Sequence, residues 1–407
     1  MAQERKAAVG FIFITLFLDV MGWGLIIPVM PSLVSQLKGI PINEASSHGA
    51  WLLFGYAFMQ FFFAPVMGNL SDRYGRRPVL LLSLFGFSID YLLLAWAPSF
   101  GWLIVGRLIA GVAGSSVSTA AAYISDVSTV ETRAKSFGMM GAAFGLGFIV
   151  GPALGGLLAG WGIRAPFYAA AILCFLNGLY GYFILPESLP KENRRKFEWK
   201  RANPFGALKV FQSQAAVAGL GLVYFLIHVG AQAVQSNWTY FTMYRFGWNE
   251  GTVGVSLAIM GVIVALVQSL LIRIINPRLG NEKSIYWGLS FYVVGLTLFA
   301  FASQGWMMFL FLLPYCLGGI TGPSLQSSLA MRLPANVQGE LQGALTSMMS
   351  LTAIIGPLLM NNLFYYFTTS AANLHFPGIS FLLGALLMLS ALFISYKTLQ
   401  KERTKLI

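Results

Sequence analysis

Charged residues are scarce in this chain. Asp, Glu, Lys and Arg make up 10% of its 407 residues, where a water-soluble domain carries about 25%, so a soluble fold would lack its usual solvating surface. Cysteine is almost missing: Cys174 and Cys316 fall in different apolar stretches, which gives no sign of a disulfide framework or a thiolate metal site and leaves both as packing residues. The three histidines, His48, His228 and His375, are too scattered for a metal site. No glycine-rich loop is followed by Lys-Ser or Lys-Thr, so the chain has no phosphate cradle for ATP hydrolysis. No acid–base–nucleophile set stands out either, and the chain reads as a non-enzyme with no cofactor and no resident metal.

What remains is hydrophobic: 57% of the residues, with 14% aromatic. Apolar runs of 18 or more residues, each enough to cross a bilayer core of about 30 Å, recur along the whole length. They are continuous, not alternating in segments of about ten, so the membrane class is helical and not a barrel. The spans are expected at 8–34, 48–70, 77–97, 102–124, 136–160 and 165–184, then 215–240, 251–275, 284–303, 305–330, 341–368 and 376–396. The first is too long for a secretory signal and has no small-residue cleavage site behind it, so it counts as a span. Aromatics near Phe61–Phe63 and Trp238–Phe246 are expected mostly at the lipid face or the interfacial belt.

The net charge of +12 is a matter of orientation. With the N-terminus inside, the inside loops hold Arg5, Lys6, Arg73, Arg76, Arg77, Arg133, Lys135, the 191–209 cluster, Arg278, Lys283, Arg332 and the C-terminal tail. The outside loops hold only Lys38, Arg164 and Arg245. This is the positive-inside asymmetry; it predicts two cytoplasmic termini in a multi-pass cell (inner) membrane protein and gives no nucleic-acid footprint.

The longest polar segment, Pro186 to Pro204, carries Lys191, Arg194, Arg195, Lys196, Lys200 and Arg201 and divides the spans six and six. The expected organisation is a bundle over 1–185, a basic cytoplasmic linker over 186–214 and a second bundle over 215–407. The halves repeat each other. Gly86–Asp90 recurs as Gly288–Tyr292, Ser99–Trp102 as Ser303–Trp306, Gly111–Gly114 as Gly319–Gly322, and Gly151-Pro152 as Gly356-Pro357, at offsets of 202, 204, 208 and 205. An internal duplication with an even helix count gives parallel halves that can rock about a central site.

The buried charges are few and unequally divided. Asp19, Asp90 and Arg107 lie inside first-half spans, where each costs at least about 2.5–3.5 kcal/mol and needs a partner or a task. Asp19 or Asp90 can exchange a proton or serve to hold the bundle together; Arg107 can pair with an acid at the same depth, for structure or for coupling. Asp126, near a helix end and followed by Glu131 and Arg133, is an interfacial gate or a solvated pair. The second-half spans contain no acid. They offer instead Tyr224, His228, Gln232 and Gln235, spaced four, four and three along one helix face, which is expected to line a water-filled cavity. Gln60, Gln268, Tyr292 and Gln326 are further candidates for substrate contact.

Between the second and third spans runs Gly68-Asn-Leu-Ser-Asp72-Arg73-Tyr-Gly75-Arg76-Arg77-Pro78. Asp72 among the arginines Arg73, Arg76 and Arg77 can form charge-assisted bonds that break when the halves rock. This loop resembles the signature of the major facilitator superfamily. Gly147-x3-Gly151-Pro152-x2-Gly155-Gly156 resembles the signature of that superfamily's proton-coupled drug antiporters, and assigns Gly151 and Pro152 to gating. Asp19, Asp72, Asp90, Arg107 and Tyr123-Ile-Ser-Asp126 fall where tetracycline exporters carry like residues, as do Pro186-Glu-Ser188, Gly254–Ala258 and Gln338–Gly343. The resemblance implies proton coupling and gating by the first-half acids and binding of a metal–drug chelate by second-half polar residues. Two positions depart from it: Val264 stands for that family's substrate-site histidine and Tyr292 for its aspartate, while Gln268 is kept.

The expectation is therefore an all-α membrane protein of twelve transmembrane helices in two six-helix pseudo-symmetric bundles, the major facilitator fold. It would act as a monomeric, proton-coupled exporter of an amphipathic drug-like compound by alternating access. The proton is the coupling ion, and a divalent cation enters only as part of a chelated substrate. The alternatives are proton-coupled uptake or export of a metabolite or siderophore-like compound, or a non-transporting membrane receptor of the same fold.

Overall fold

In lipid, a continuous apolar run can satisfy its backbone N–H and C=O groups only within the segment or in a closed barrel. The described residues of this chain form helices and no strand. A computed structural model describes residues 2–114, 117–197, 206–212, 214–334, 337–369 and 374–406, with side chains except at 2–9, 130–131, 133–134, 206–208 and 403–406. The expected basic residues Arg5, Lys6, Glu131's neighbour Arg133, Lys200 and Arg201, and Glu131 itself, have side chains outside that set.

The α-helices in chain order are α1 (Ala2–Ile26), α2 (Met30–Lys38), α3 (Ile42–Tyr74), α4 (Arg76–Trp96), α5 (Phe100–Ala113), α6 (Val117–Val127), α7 (Val130–Ala159) and α8 (Ala165–Ile184). They continue with α9 (Ala215–Gln235), α10 (Trp238–Phe246), α11 (Glu250–Leu266), α12 (Ile272–Ala300), α13 (Gly305–Leu317), α14 (Thr321–Ala330), α15 (Gln338–Thr368) and α16 (Ile379–Leu406). Among the described residues ten stretches are long and apolar enough to cross a membrane, eleven if α1 and α2, bent by 46°, make one span. The stretch Glu250–Ala300 has 51 residues; at about 1.5 Å per residue it exceeds twice a hydrocarbon core of about 30 Å, and its backbone leaves helical geometry at Gly280.

Several spans expected as single helices are broken. The first breaks between Ile26 and Met30, where Pro28 disfavours helix at the residue before it. The seventh breaks at Ser236-Asn237. Each break is followed by a nine-residue helix, α2 or α10, that ends on a left-handed glycine, Gly39 (φ 64°) or Gly247 (φ 65°). These glycines are 208 residues apart, and the positive-φ turns at Gly75 and Gly280 are 205 apart. The duplication is thus written in the backbone as well as in the side chains.

Two compact units emerge: Met1–Ile40 with Gly55–Pro204 and Asn249–Gly261, and Pro41–Phe54 with Phe205–Trp248 and Val262–Ile407. Each expected bundle supplies most of one unit and lends the other one helix start, that of α3 or that of α11. In the first unit α7 packs closely on α1 because it carries glycine at the contact. A Cβ at Gly147 would lie 2.8 Å from that of Val20, and one at Gly151 would lie 2.6 Å from the Met21 carbonyl oxygen. The next face of α7 takes the start of α11, where a Cβ at Gly156 would lie 2.7 Å from the Glu250 carbonyl oxygen. Glu250 accepts a hydrogen bond from Ser32. Beside these helices Phe11, Leu16, Leu80, Leu84, Tyr123 and Ile124 fill the interior.

In the second unit α9 packs on α15 and α16, and α12 on α13 and α16. Trp238 and Phe241, expected at the lipid belt, are buried instead: Trp238 meets Phe299 edge-on at 5.1 Å and Phe241 meets Phe381 at 4.8 Å. The bend after α9 turns this aromatic segment inward. The start of α3 is held in this unit by Asn43 Nδ2 donating to the Thr368 carbonyl (3.2 Å) and Ser47 Oγ donating to Asn362 Oδ1 (2.7 Å).

The glycines of α7 separate by environment. Gly151→Ala is expected to cost about 1–3 kcal/mol by overpacking against α1. Gly145→Ala, with nothing within 4 Å of the added carbon, should be neutral or slightly stabilising. Thermal unfolding of the detergent-solubilised variants distinguishes them.

Candidate functional site

The first unit contains a buried ion pair. Asp90 on α4 is 0% exposed and Arg107 on α5 is 4% exposed; Arg107 Nη2 donates to Asp90 Oδ2. The partner of Arg107 is therefore Asp90. Gly106 makes room for the carboxylate, since a Cβ there would lie 2.8 Å from Asp90 Oδ1. The guanidinium also lies 5.9 Å from the centre of the Tyr91 ring, a cation–π contact. The pair is incompletely satisfied: Asp90 Oδ1 and Arg107 Nε have no hydrogen-bond partner. Asp19, on α1, presents a buried Oδ1 that also has none. Tyr56 and Tyr91 both lie within electrostatic range of Asp19, Asp90 and Arg107, so the three expected coupling residues share one polar interior. Gln60 belongs here too, since its Nε2 donates to the Gly114 carbonyl (3.1 Å) and the Tyr56 hydroxyl (3.3 Å).

A second cluster forms at the α3–α4 turn. Gly75 adopts φ 107°, ψ 161°, a conformation open to glycine, and brings Arg76 back over α3. Arg76 Nη1 donates to Asp72 Oδ1 (2.5 Å) and to Ser71 Oγ (2.6 Å), and its Nε to Asp126 Oδ2 (3.3 Å). Asp126 is thus an interhelical partner of α4 and also accepts from Ser188 Oγ (3.1 Å). Arg77 Nη2 donates to the Tyr182 carbonyl (2.5 Å), while the exposed Arg73 rests on the ring of Tyr74 at 5.0 Å.

Glu187 is a member of this cluster that the residue pattern did not single out. Gly75 has no side chain to cap α4, and the Glu187 carboxylate serves instead, accepting from the backbone N–H groups of Arg76 (2.8 Å), Arg77 (3.3 Å) and Leu189 (3.0 Å). An anion at a helix N-terminus is favourable. The only sequence signal was its place in Pro186-Glu-Ser188, since spacing does not reveal a partner 111 residues away.

In the second unit the stripe on α9 is only partly open. Tyr224 is buried, its ring 4.1 Å from that of His228, and His228 Nδ1 lies 2.8 Å from the Tyr224 carbonyl oxygen. Gln232 Nε2 donates to Oε1 of the exposed Gln235 (3.3 Å). The Gln326 side chain on α14 reaches the Tyr224 hydroxyl and joins the stripe. Tyr292 packs over Gly318, with its ring 5.3 Å from Tyr315. Gln268 is exposed in a π-helical turn, Val267–Leu271, the kind of helix irregularity common at functional sites.

Repeated apolar helices, a buried ion pair in one unit and a polar stripe in the other define a multi-pass membrane transporter. A profile of the Major Facilitator Superfamily matches residues 12–357 and again 220–405. The chain is 39% identical over 378 residues to the class C tetracycline resistance protein of Escherichia coli, covering 93% of each chain. It is 41% identical over 379 residues to the class G tetracycline resistance protein of Vibrio anguillarum, covering 92% of this chain and 93% of that one. The crystal structure of the human organic anion transporter MFSD10 (TETRAN) aligns with a TM-score of 0.71 at 25% identity, over 96% of this chain and 99% of that one. The chain belongs to the major facilitator superfamily.

Removing one member of the buried pair leaves an uncompensated charge. Arg107→Gln is expected to cost about 3–5 kcal/mol of stability, while the double variant Asp90→Asn/Arg107→Gln should lose less than the single changes Asp90→Asn and Arg107→Gln combined. Denaturation of the four proteins in detergent measures the coupling.

Proposed function

We propose that this transporter is a proton-driven exporter of an amphipathic, drug-like compound, resembling the tetracycline exporters. Its twelve spans follow from counting α1 with α2 as one crossing and Glu250–Ala300 as two. The distribution of basic residues supports a cell (inner) membrane with both termini in the cytoplasm, and the chain is taken to work as a monomer. The observation that carries the reading is the first unit's polar interior: a buried Asp90–Arg107 pair beside Asp19, whose carboxylate oxygen lacks a partner. A buried acid in a membrane bundle is a natural proton carrier, and the proton gradient directed into the cell would drive export. Asp19 and Asp90 carry the proton, and Arg107 restrains the charged form of Asp90.

The cluster of Asp72, Arg73, Arg76, Arg77 and Asp126 serves as a gate that opens by breaking charge-assisted bonds. Gly151 and Pro152 act as the close-packed pivot of α7. Tyr224, His228, Gln232, Gln235 and Gln326 form the substrate-facing stripe of the second unit, with Gln268 and Tyr292 as its flanking contacts, and Gln60 is the substrate contact offered by the first unit. Val264 and Tyr292 supply no metal-chelate ligand, so a tetracycline–divalent cation chelate is expected to be a poor substrate.

A susceptibility screen in an efflux-deficient host, with and without the chain, tests the reading. Protection against at least one amphipathic compound is expected, and weaker protection against tetracyclines than the class C relative gives. Asp19→Asn should abolish pH-gradient-driven transport of the protecting compound in membrane vesicles, and full transport by that variant would remove Asp19 from the mechanism.

A further inference from the structure

Asp19 and Asp90 sit on different helices, and Tyr91, next to Asp90 on α4, reaches α1 one turn past Asp19. Tyr91 on α4 is 1% exposed. Its hydroxyl packs on α1 at Gly22, where an added Cβ would lie 3.1 Å from the phenol oxygen. Gly22 is three residues past Asp19, on the same face of α1. The lack of a side chain at Gly22 is what lets the phenol reach that face. On its other side Tyr91 adjoins Asp90 in sequence and carries the Arg107 guanidinium over its ring at 5.9 Å. Phe87, stacked at 6.2 Å and 17°, holds the ring from the preceding turn.

The charged and titratable groups around the phenol are Asp19 from α1, Tyr56 from α3, Asp90 from its own helix, Arg107 from α5 and Cys174 from α8. Asp19 Oδ1 and Asp90 Oδ1 are both buried without a partner. The amide of Asn177 on α8 is similarly left with a free Nδ2, although its Oδ1 accepts from Thr15, one turn before Asp19, at 3.5 Å. Buried unpaired donors and acceptors in one region are the usual setting for internal water. Water bound to these atoms beside the phenol would complete a proton wire.

We infer that the Tyr91 hydroxyl relays protons between Asp19 and Asp90. The protonated Asp19 carboxyl gives its proton to the phenol oxygen as the phenol O–H gives its own proton, through bridging water, to the Asp90 carboxylate, since neighbouring side chains on one helix do not face each other. Asp19 ends as a carboxylate, Asp90 as a neutral acid released from Arg107, and Tyr91 is neutral before and after. One proton moves and no other bond changes. The inference rests on the proton-coupling reading above, and adds to it a route and an order.

The test is substrate-free. The purified full chain in lipid is followed by infrared spectroscopy after a pH jump, with the carboxyl bands of Asp19 and Asp90 assigned by Asp19→Asn and Asp90→Asn. In wild type both bands are expected to respond together. Tyr91→Phe keeps the ring and its contacts with Arg107 and Phe87, and should delay the second band at least tenfold. Tyr91→His, which restores an exchangeable proton, should recover part of the rate. If the bands of Tyr91→Phe respond as in wild type, the relay is wrong. If Tyr91→Phe is delayed and Tyr91→His is not faster, the tyrosine acts by packing and the relay is likewise overturned. If neither acid band responds to pH in wild type, the proton-coupling reading fails first, and the relay falls with it.

Discussion

An ionised side chain within a bilayer costs at least about 2.5–3.5 kcal/mol unless it is paired or neutralised, and Asp90 and Arg107 meet that cost by pairing with each other. The bond between Arg107 and Asp90 ties α5 to α4 at a depth where neither side chain reaches solvent. The packing around it is fitted to it: Gly106 leaves space for the carboxylate, the Tyr91 ring lies beneath the guanidinium, and Gly22 receives the phenol from the neighbouring helix. Protonation of Asp90 would leave Arg107 as an unpaired buried cation. A change of one proton can therefore alter how α1, α4 and α5 fit together, which is the link between chemistry and movement that a coupled transporter requires.

The same fold contains a control for this arrangement, because its second half repeats the first. Gly39 and Gly247, like Gly75 and Gly280, bend the chain in the same way. The position that matches Asp90 is Tyr292, and there the ion pair is replaced by aromatic packing against Gly318 and Tyr315. Backbone geometry was kept while the polar chemistry was not. Under the proposed function, proton handling falls to the first unit and ligand contact to the stripe from Tyr224 to Gln235 in the second.

Much of the fold was legible in the sequence because lipid imposes a simple rule on composition: long apolar runs, short basic connections and a repeat at an offset near 205 residues. The buried charges were legible for the same reason, since Asp19, Asp90 and Arg107 stand out against apolar surroundings. What could not be read was partnership. Nothing in the spacing says that Arg107 pairs with Asp90 and not with Asp19, that Asp126 binds Arg76, or that Glu187 caps α4. These depend on side chains that are distant in sequence and brought together only by packing. Helix breaks were missed where one hydrophobic run contains a bend, as at Pro28 and Ser236. Burial of Trp238 and Phe241 was missed because an aromatic cluster at the end of a span looks the same whether it faces lipid or the bundle.

The central claim is that the buried acids of the first unit couple solute movement to proton movement. The most direct measurement uses proteoliposomes carrying a pH-sensitive dye inside and an imposed pH gradient, challenged with a compound against which the chain protects cells. The account predicts proton flux that begins on addition of the compound, runs opposite to it, and is lost in Asp90→Asn. Compound flux of undiminished rate and extent after a protonophore has dissipated the pH gradient would contradict it.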